Sequence, residues 1–364
     1  MKILRVINSL GVGGAERMLS GNVPLHIANG FDMDILTLDG KTSFFKEELE
    51  SKNVKIFSLG TNINIYNPFL IFKIIPFLKK YDIIHVHLFP SIYWVSIAKM
   101  ISGINTKLIF TEHDSNNRRR NNWILKLVDK IIYNQFEKII TISEGADQNL
   151  KKHLKGNYPT QIIYNGIDIS KVQSEIKWID KEFEKTIENK KVLLQIAGFR
   201  KQKDQDTVIK SLVMLPEEVI AVFIGEGDRM EECKVLAKNL KVSHRVEFLG
   251  LKNNIGTYIN LADIVVMSSN WEGFGRSAVE GMALKKPLIA TNVSGLNEVV
   301  GNAGLLFEVG DVNKLAELIT NLLNNKEYYQ DIAEKCYFQA KKFDISQMVN
   351  AYEKVYNDLL NNGY

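Results

Sequence analysis

Residues 191–215 read KVLLQIAGFRKQKDQDTVIKSLVML. A basic residue opens an apolar run of strand length, a glycine breaks it, and the residues beyond have the makings of a helix. Residues 2–29, KILRVINSLGVGGAERMLSGNVPLHIAN, follow the same order. A strand, a glycine turn and a helix written twice in one chain are the openings of two βα repeats. Outward from the first, the runs KILRVI, FDMDILTL, DIIHVHL, KLIFTEH and KIITIS alternate with stretches that have room for helices. Outward from the second, KVLLQIAG, EEVIAVFIG, RVEFLG, ADIVVMS, PLIAT and GLLFEV do the same, with helical segments at 205–215, 229–240 and 276–285. The class is therefore α/β, with two doubly wound, Rossmann-like units in tandem.

Residues 166–190 are charged and weakly periodic and read as a connector. They separate an N-terminal unit, 1–165, from a C-terminal unit, 191–343. Residues 344–364 carry aromatic and aliphatic side chains at helical spacing, which predicts a terminal helix. Open α/β sheets bind ligands beyond the carboxyl ends of their strands, so two such units facing each other would hold a ligand in the cleft between them.

Composition agrees with this reading. A chain of 364 residues is too long for one ordinary core and suits two domains. Its 45% hydrophobic and 24% charged residues are the balance of a globular protein, and a formal charge of +4 argues neither for nucleic acid nor for an acidic partner. Cys233 and Cys336 lie far apart and outside any C-x-x-C pattern, which fits a reducing cytoplasm. The N-terminus MKILRVINSLGVGG is a buried strand and turn rather than a signal peptide. The apolar stretch 83–101 carries two histidines, Pro90 and Lys99 and makes no membrane span.

Three stretches carry candidate chemistry. In GVGGAER, 11–17, Gly13 and Gly14 would let backbone N–H groups approach an anion at a helix start, or would simply make a tight turn. A dinucleotide fingerprint is incomplete there, because Glu16 stands where its last glycine would be and would repel a pyrophosphate. In AGFRKQKDQD, Arg200, Lys201 and Lys203 put three cations just past a strand end, where they would neutralise a departing diphosphate; the plainer alternative is a solvated basic turn. In SSNWEGFGRSAVEGMA, 268–283, Gly273 and Gly275 disfavour helix and RSAVEGMAL favours it, so a helix should begin near Arg276. Glu272 then lies in the loop, and Glu280 one turn inside the helix, where a carboxylate can accept both hydroxyls of a ribose.

The run SSNWEGFGRSAVEGMALKKPLIATNVSGLNEVVGNAGLLFEVGD resembles the donor-binding region of glycosyltransferase family 4, retaining enzymes built from two facing Rossmann-like domains, the GT-B fold. GGAER at 13–17, HVH at 85–87, TEHD at 111–114, IYNGID at 163–168, QKD at 202–204 and FLG at 248–250 extend the resemblance over nearly the whole chain. It implies a hexosyltransferase that moves a sugar from a nucleotide-sugar, UDP by family frequency, to a hydroxyl of a glycan or lipid-linked glycan in surface polysaccharide or glycolipid assembly. No metal and no cofactor is implied. By resemblance Glu280 holds the ribose, Glu272 lies near the donor sugar, and Gly273, Phe274 and Gly275 approach sugar and phosphates. Lys203 meets the diphosphate, His113 sits at the reacting sugar, and Gly13, Gly14 and Asn165 line the cleft. The terminal helix would cross back to the first domain. The implied location is cytoplasmic, with peripheral contact to the inner face of an anionic membrane, and no nucleic acid partner.

One departure stands out. Relatives often carry an arginine five residues before the lysine, and here that position is Gly198, which leaves Arg200 to take over the phosphate contact. SGLNE at 294–298 is a second departure, since many relatives have two glycines before the glutamate. An epimerase or hydrolase on the same architecture, or a non-catalytic nucleotide-sugar-binding protein, would share these features; a dehydrogenase is weakened by Glu16.

His85 and His87 alternate on a strand as two metal ligands would, but lack a third ligand at a usual spacing. Asp32 with Asp34, and Asp204 with Asp206, spell the D-x-D of metal-dependent transferases of another fold and read as coincidence. Residues 118–136 and 69–80 mix basic and apolar residues. Core packing with a polar outer face is the expectation for both, a place on an anionic bilayer the alternative.

Overall fold

A computed structural model of the chain describes residues 1–11, 13–61, 63–113, 123–177 and 181–361. Met1–Gly166 and the segment from Ile345 onward form one compact unit, and Ile167–Asp344 form the other.

The N-terminal unit holds a seven-stranded parallel sheet: β1 (Lys2–Ile7), β2 (Asp32–Thr37), β3 (Ile56–Ser58), β4 (Ile83–His87), β5 (Lys107–Glu112), β6 (Lys138–Thr141) and β7 (Thr160–Ile162), in the order β3-β2-β1-β4-β5-β6-β7. Its central strands are buried on both faces, which is why they read as nearly unbroken apolar runs. The edge strands β3 and β7 are three residues each and only half-buried or exposed, so no apolar run announced them. One face packs under the helices Leu70–Leu78, Ser91–Ser102, Trp123–Tyr133 and Glu144–Leu154. The other packs under Gly14–Ala28, Phe44–Ser51 and the C-terminal helix Ile345–Asn361. That last helix buries Met348, Val349, Tyr352, Val355 and Tyr356, each worth roughly 1.5–3 kcal/mol when withdrawn from water, which anchors the chain end to the first unit.

The C-terminal unit holds a six-stranded parallel sheet: β8 (Lys191–Ile196), β9 (Val219–Ile224), β10 (Val246–Phe248), β11 (Ile264–Met267), β12 (Leu288–Thr291) and β13 (Leu305–Phe307), in the order β10-β9-β8-β11-β12-β13. The segment read above as a connector belongs to this unit from Ile167 onward, and its described residues include the short helices Ile169–Ser174 and Lys181–Thr186. Glu175 Oε2 accepts from the Gly256 amide at 2.8 Å, and the Phe183 ring lies 5.2 Å from that of Tyr258. Such contacts between distant positions leave no periodicity to read.

Strand order locates the candidate sites. The first strand of each sheet has its later neighbours on opposite sides, β2 and β4 around β1, and β9 and β11 around β8. Chain direction reverses there, leaving a crevice at the carboxyl ends of the strands. Among the described residues no helix is long and apolar enough to cross a membrane.

Candidate active site

In the C-terminal unit the crevice is bounded by the loops after β8 and β11, which carry Lys203 and Glu272. The first loop turns with Lys203 N–H donating to the Arg200 carbonyl at 2.8 Å, and Asp204 adopts a left-handed backbone, φ 43°, before the helix Gln205–Ser211. Buried side chains hold it. Gln195 Nε2 donates to the Lys203 carbonyl at 2.8 Å, and Ser268 Oγ to that of Asp204 at 2.7 Å. The two loops are stitched edge to edge, by Asn270 N–H to the Gln202 carbonyl at 2.7 Å and by Gln202 Nε2 to the Trp271 carbonyl at 2.8 Å. So held, Lys203 Nζ forms a hydrogen-bonded ion pair with Glu272 Oε2, both side chains largely buried. The other Glu272 oxygen accepts from the Gly273 amide at 3.1 Å.

The helix Arg276–Ala283 begins where its sequence places it, because Gly275 at φ +81° takes a conformation that other residues rarely adopt. Ser277 Oγ donates to the Ile196 carbonyl at 2.9 Å and fixes the first helical turn at the end of β8. Glu280 follows one turn later, 2% exposed, with Arg276 Nη2 3.5 Å from its Oε1. Gly295, at φ +88°, lets a neighbouring turn close on the glutamate loop: a Cβ there would meet the Glu272 carbonyl oxygen at 2.5 Å.

Arg200 Nε lies 3.9 Å from where a Cβ on Gly198 would stand, so the guanidinium lies beside the space that a side chain at Gly198 would enter. The Phe274 ring is buried and packs edge-on against Phe343 at 5.4 Å, so the part of Phe274 offered to a ligand is its backbone. Asp204 accepts from Thr207 Oγ1 at 2.6 Å, and Asp206 accepts from Arg229 at 2.9 and 3.1 Å. Asp32 and Asp34 stand at the start of β2, the end opposite the crevice.

The N-terminal unit holds the other candidates. Gly13 and Gly14 lie where β1 gives way to the helix Gly14–Ala28, and the Glu16 carboxylate occupies the place a Cβ on Gly13 would take. Burial raises the Glu16 pKa. Sequence reading passed over Asn8, which bridges this unit's crevice: its Nδ2 donates to the Phe89 carbonyl and its Oδ1 accepts from Ser91 Oγ, both at 2.7 Å. A polar residue directly after the first strand was the available signal. Asn165 Oδ1 is buried without a hydrogen-bond partner among the described residues.

His113 directly follows β5 and does not stand alone. Its Nε2 is 3.0 Å from His87 Nδ1, and the His87 ring stacks on His85 at 4.5 Å. His85 is held by Tyr356 at 2.9 Å and Thr111 at 2.8 Å, so it and His87, which alternate on the strand as two metal ligands would, are engaged with side chains. Among the described residues no three His, Cys, Asp or Glu side chains group as a metal site. Arg5, opposite His85 in the β1–β4 register, is fully buried, hydrogen-bonds Tyr356 and stacks on Tyr352 at 5.3 Å. Burial first and the Arg5 charge second pull the His113 pKa down to about 3, and burial holds His85 and His87 well below the ordinary value. His113 is therefore an uncharged imidazole at neutral pH.

Comparison with known proteins bears on both units. The model of Glycosyltransferase Family 4 matches residues 12–171, and that of Glycosyl transferases group 1 matches residues 176–338. Uncharacterized glycosyltransferase MJ1178 of Methanocaldococcus jannaschii is 30% identical over 358 residues, 93% of this chain and 95% of its own length. The N-acetylgalactosamine-N,N'-diacetylbacillosaminyl-diphospho-undecaprenol 4-alpha-N-acetylgalactosaminyltransferase of Campylobacter jejuni is 26% identical over 359 residues, 93% of this chain and 94% of that protein. The crystal structure of Anabaena HepE in complex with UDP and glucose superposes with a TM-score of 0.84 at 22% identity, covering 98% of this chain and all of that one, a likeness of fold.

Proposed function

We propose that this chain, which belongs to glycosyltransferase family 4, moves a sugar from a UDP-sugar to a hydroxyl of a glycan or lipid-linked glycan, with retention at the anomeric carbon and without a bound metal. The observation that carries the reading is the Lys203–Glu272 pair at the crevice of the C-terminal sheet, one helix start away from buried Glu280. When the bond between the anomeric carbon and the diphosphate breaks, the leaving group gains negative charge, which must be met by fixed cations or amides. Lys203 is the cation in this reading, with Arg200 beside it and the Gly273–Gly275 amides across the loop. Glu272, released from Lys203 as the phosphates arrive, accepts a donor-sugar hydroxyl, and Glu280 accepts the ribose hydroxyls. Neutral His113 contributes a hydrogen bond rather than a charge to the reacting sugar. The choice of UDP is supported by the fold shared with the UDP-bound Anabaena structure. The relatives' names favour transfer over epimerisation, hydrolysis or simple binding, and the lipid diphosphate in the Campylobacter name supports a lipid-linked acceptor, hence a cytoplasmic enzyme at the inner face of a membrane.

The test is a thermal-shift panel of UDP-, GDP- and ADP-sugars followed by transfer kinetics. A donor at 100 times its Kd stabilises by about 2.7 kcal/mol, which raises Tm by roughly 5–10 °C for a unit of this size. Glu280→Ala should chiefly raise donor KM, because ribose is gripped in ground and transition states alike, while Lys203→Ala should chiefly lower kcat. Wild-type kinetics in both variants, or a shift with GDP-sugars alone, would remove the corresponding assignment. Inversion at the anomeric carbon, read by NMR of the product, would remove retention.

A further inference from the structure

We infer that His87 is a positioning residue that fixes the tautomer of His113, so that His113 holds its proton on Nδ1 and offers an N–H, not a lone pair, to a ligand oxygen in the crevice of the N-terminal unit. The inference deepens the reading above, on which it rests only for the identity of that ligand as the donor sugar.

Hydrogen bonds around the three rings run in one direction. Arg5 is fully buried, and its Nη1 donates to the Tyr356 hydroxyl. That hydroxyl has one proton of its own, and its remaining partner is His85 Nδ1 at 2.9 Å, so the hydroxyl donates and Nδ1 is bare. The neutral His85 ring then carries its proton on Nε2, which donates to Thr111 Oγ1 at 2.8 Å, and the Thr111 proton passes on to the Tyr352 hydroxyl at 3.3 Å. In His85, therefore, the nitrogen on the side of β5 holds the hydrogen and the nitrogen on the side of Arg5 is bare.

His87 lies two residues further along β4, with its ring stacked on that of His85 but turned the other way about. Its Nδ1 faces His113 Nε2 at 3.0 Å, while its Nε2 is buried with no hydrogen-bond partner among the described residues. One nitrogen of that contact must carry the hydrogen. Were it His113 Nε2, His87 would hold its own proton on Nε2, an N–H buried without an acceptor. With the proton on His87 Nδ1, a lone pair stands there instead. Arg5 selects between the two. It belongs to β1, on the other flank of β4 from β5, and its Nε and Nη2 have no hydrogen-bond partner among the described residues, so no carboxylate bound there offsets its charge. A fixed cation attracts a lone pair and repels an N–H. A preference worth a single hydrogen bond is about fivefold in population.

His113 therefore accepts at Nε2 and, being neutral, has its proton on Nδ1. It is half-buried at the carboxyl end of the sheet, and its Nδ1 has no hydrogen-bond partner among the described residues. An N–H there can hold a hydroxyl or phosphate oxygen, but it cannot take a proton from an attacking hydroxyl, which excludes that nitrogen as a general base.

The test is long-range proton–nitrogen NMR at neutral pH on the full chain with isotope-labelled histidine and no substrate, so its outcome does not depend on the donor assignment. Six histidines keep the spectrum assignable by single substitutions. His87 and His113 should each show Nδ1 protonated and Nε2 bare, and His85 the opposite pattern. In His87→Phe the bond is gone and His113 should revert toward Nε2–H, the form that neutral histidine prefers in water, with kcat lower by about tenfold or more and donor KM little changed. His87→Asn, whose amide nitrogen takes the place of Nδ1, should keep the His113 proton on Nδ1 and recover kcat to within about fivefold of wild type. A wild-type His113 protonated on Nε2, an unchanged His113 tautomer in His87→Phe, or His87→Asn no more active than His87→Phe would overturn the proposal. The expected tautomers in a chain that transfers no sugar would uphold it and remove the function proposed above.

Discussion

Mild acid should destabilise the N-terminal unit and spare the other. His26, His85, His87 and His113 all belong to that unit, and all are held below the ordinary histidine value of 6.5, His26 and His113 to about 3. Burial is the main cause, with the Arg5 charge adding to it. The sign follows from proton counting. Below 6.5 the unfolded chain binds protons that the folded unit refuses, so stability is intact above 6.5, falls as pH falls, and goes on falling until folded His26 and His113 themselves titrate near 3. Between pH 7.5 and 5.5 His26 and His113 each cost about 1.4 kcal/mol. The two together cost about 2.7 kcal/mol, a large share of the stability of a domain, and His85 and His87 act in the same direction. Burial raises the pKa of Glu16 and Asp39, which works in the opposite direction. Hydrogen exchange read by mass spectrometry and corrected for intrinsic rates separates the units. Protection of β1, β4 and β5 should fall by about a hundredfold or more between pH 7.5 and 5.5, while that of β8 and β11 holds. A change worth less than one histidine, about 1.4 kcal/mol, or an equal loss in both units, would refute the reasoning.

Three further outcomes follow from the same contacts. Sugar transfer should persist in excess EDTA, and Asp32→Asn with Asp34→Asn should leave the rate within a few-fold; activity that vanishes with chelator and returns with Mn²⁺ or Mg²⁺ would point back to the aspartates. His87→Phe keeps the stack on His85 but removes the bond to His113, so kcat should drop by roughly tenfold to a hundredfold with donor KM little changed, as expected for a misplaced group; an unchanged kcat would show that His113 needs no such support. Gly295→Ala forces a side chain into a strained backbone and against the Glu272 carbonyl, so the C-terminal unit should lose about 1–3 kcal/mol, read as a lower Tm, with donor KM rising alongside. A melting curve like that of wild type would mean that the loop gives way freely.

Much of this protein is written locally. A strand buried on both faces must be apolar along its length, and a chain turning from strand to helix at close quarters needs glycine, so KILRVI and KVLLQIAG with their glycine turns declare two parallel-sheet units by themselves. The start of the helix at Arg276 is legible for the same reason: Gly275 and the residues after it state their preferences without help from elsewhere. Those runs and the family pattern also brought Lys203, Glu272 and Glu280 to notice. Tertiary structure alone decided what touches what. Lys203 meets Glu272 across 69 residues because β8 and β11 are neighbours, and Arg5 meets Tyr356 across 351 because the last helix returns to the first strand. Tertiary packing also made His113 one end of a row of three histidine rings, turned Phe274 inward and left Phe69 and Phe72 outside. Periodicity tells which residues share a face of one element, while the partner of that face is set by strand order and register, and those are settled by the packing of segments far apart in the chain.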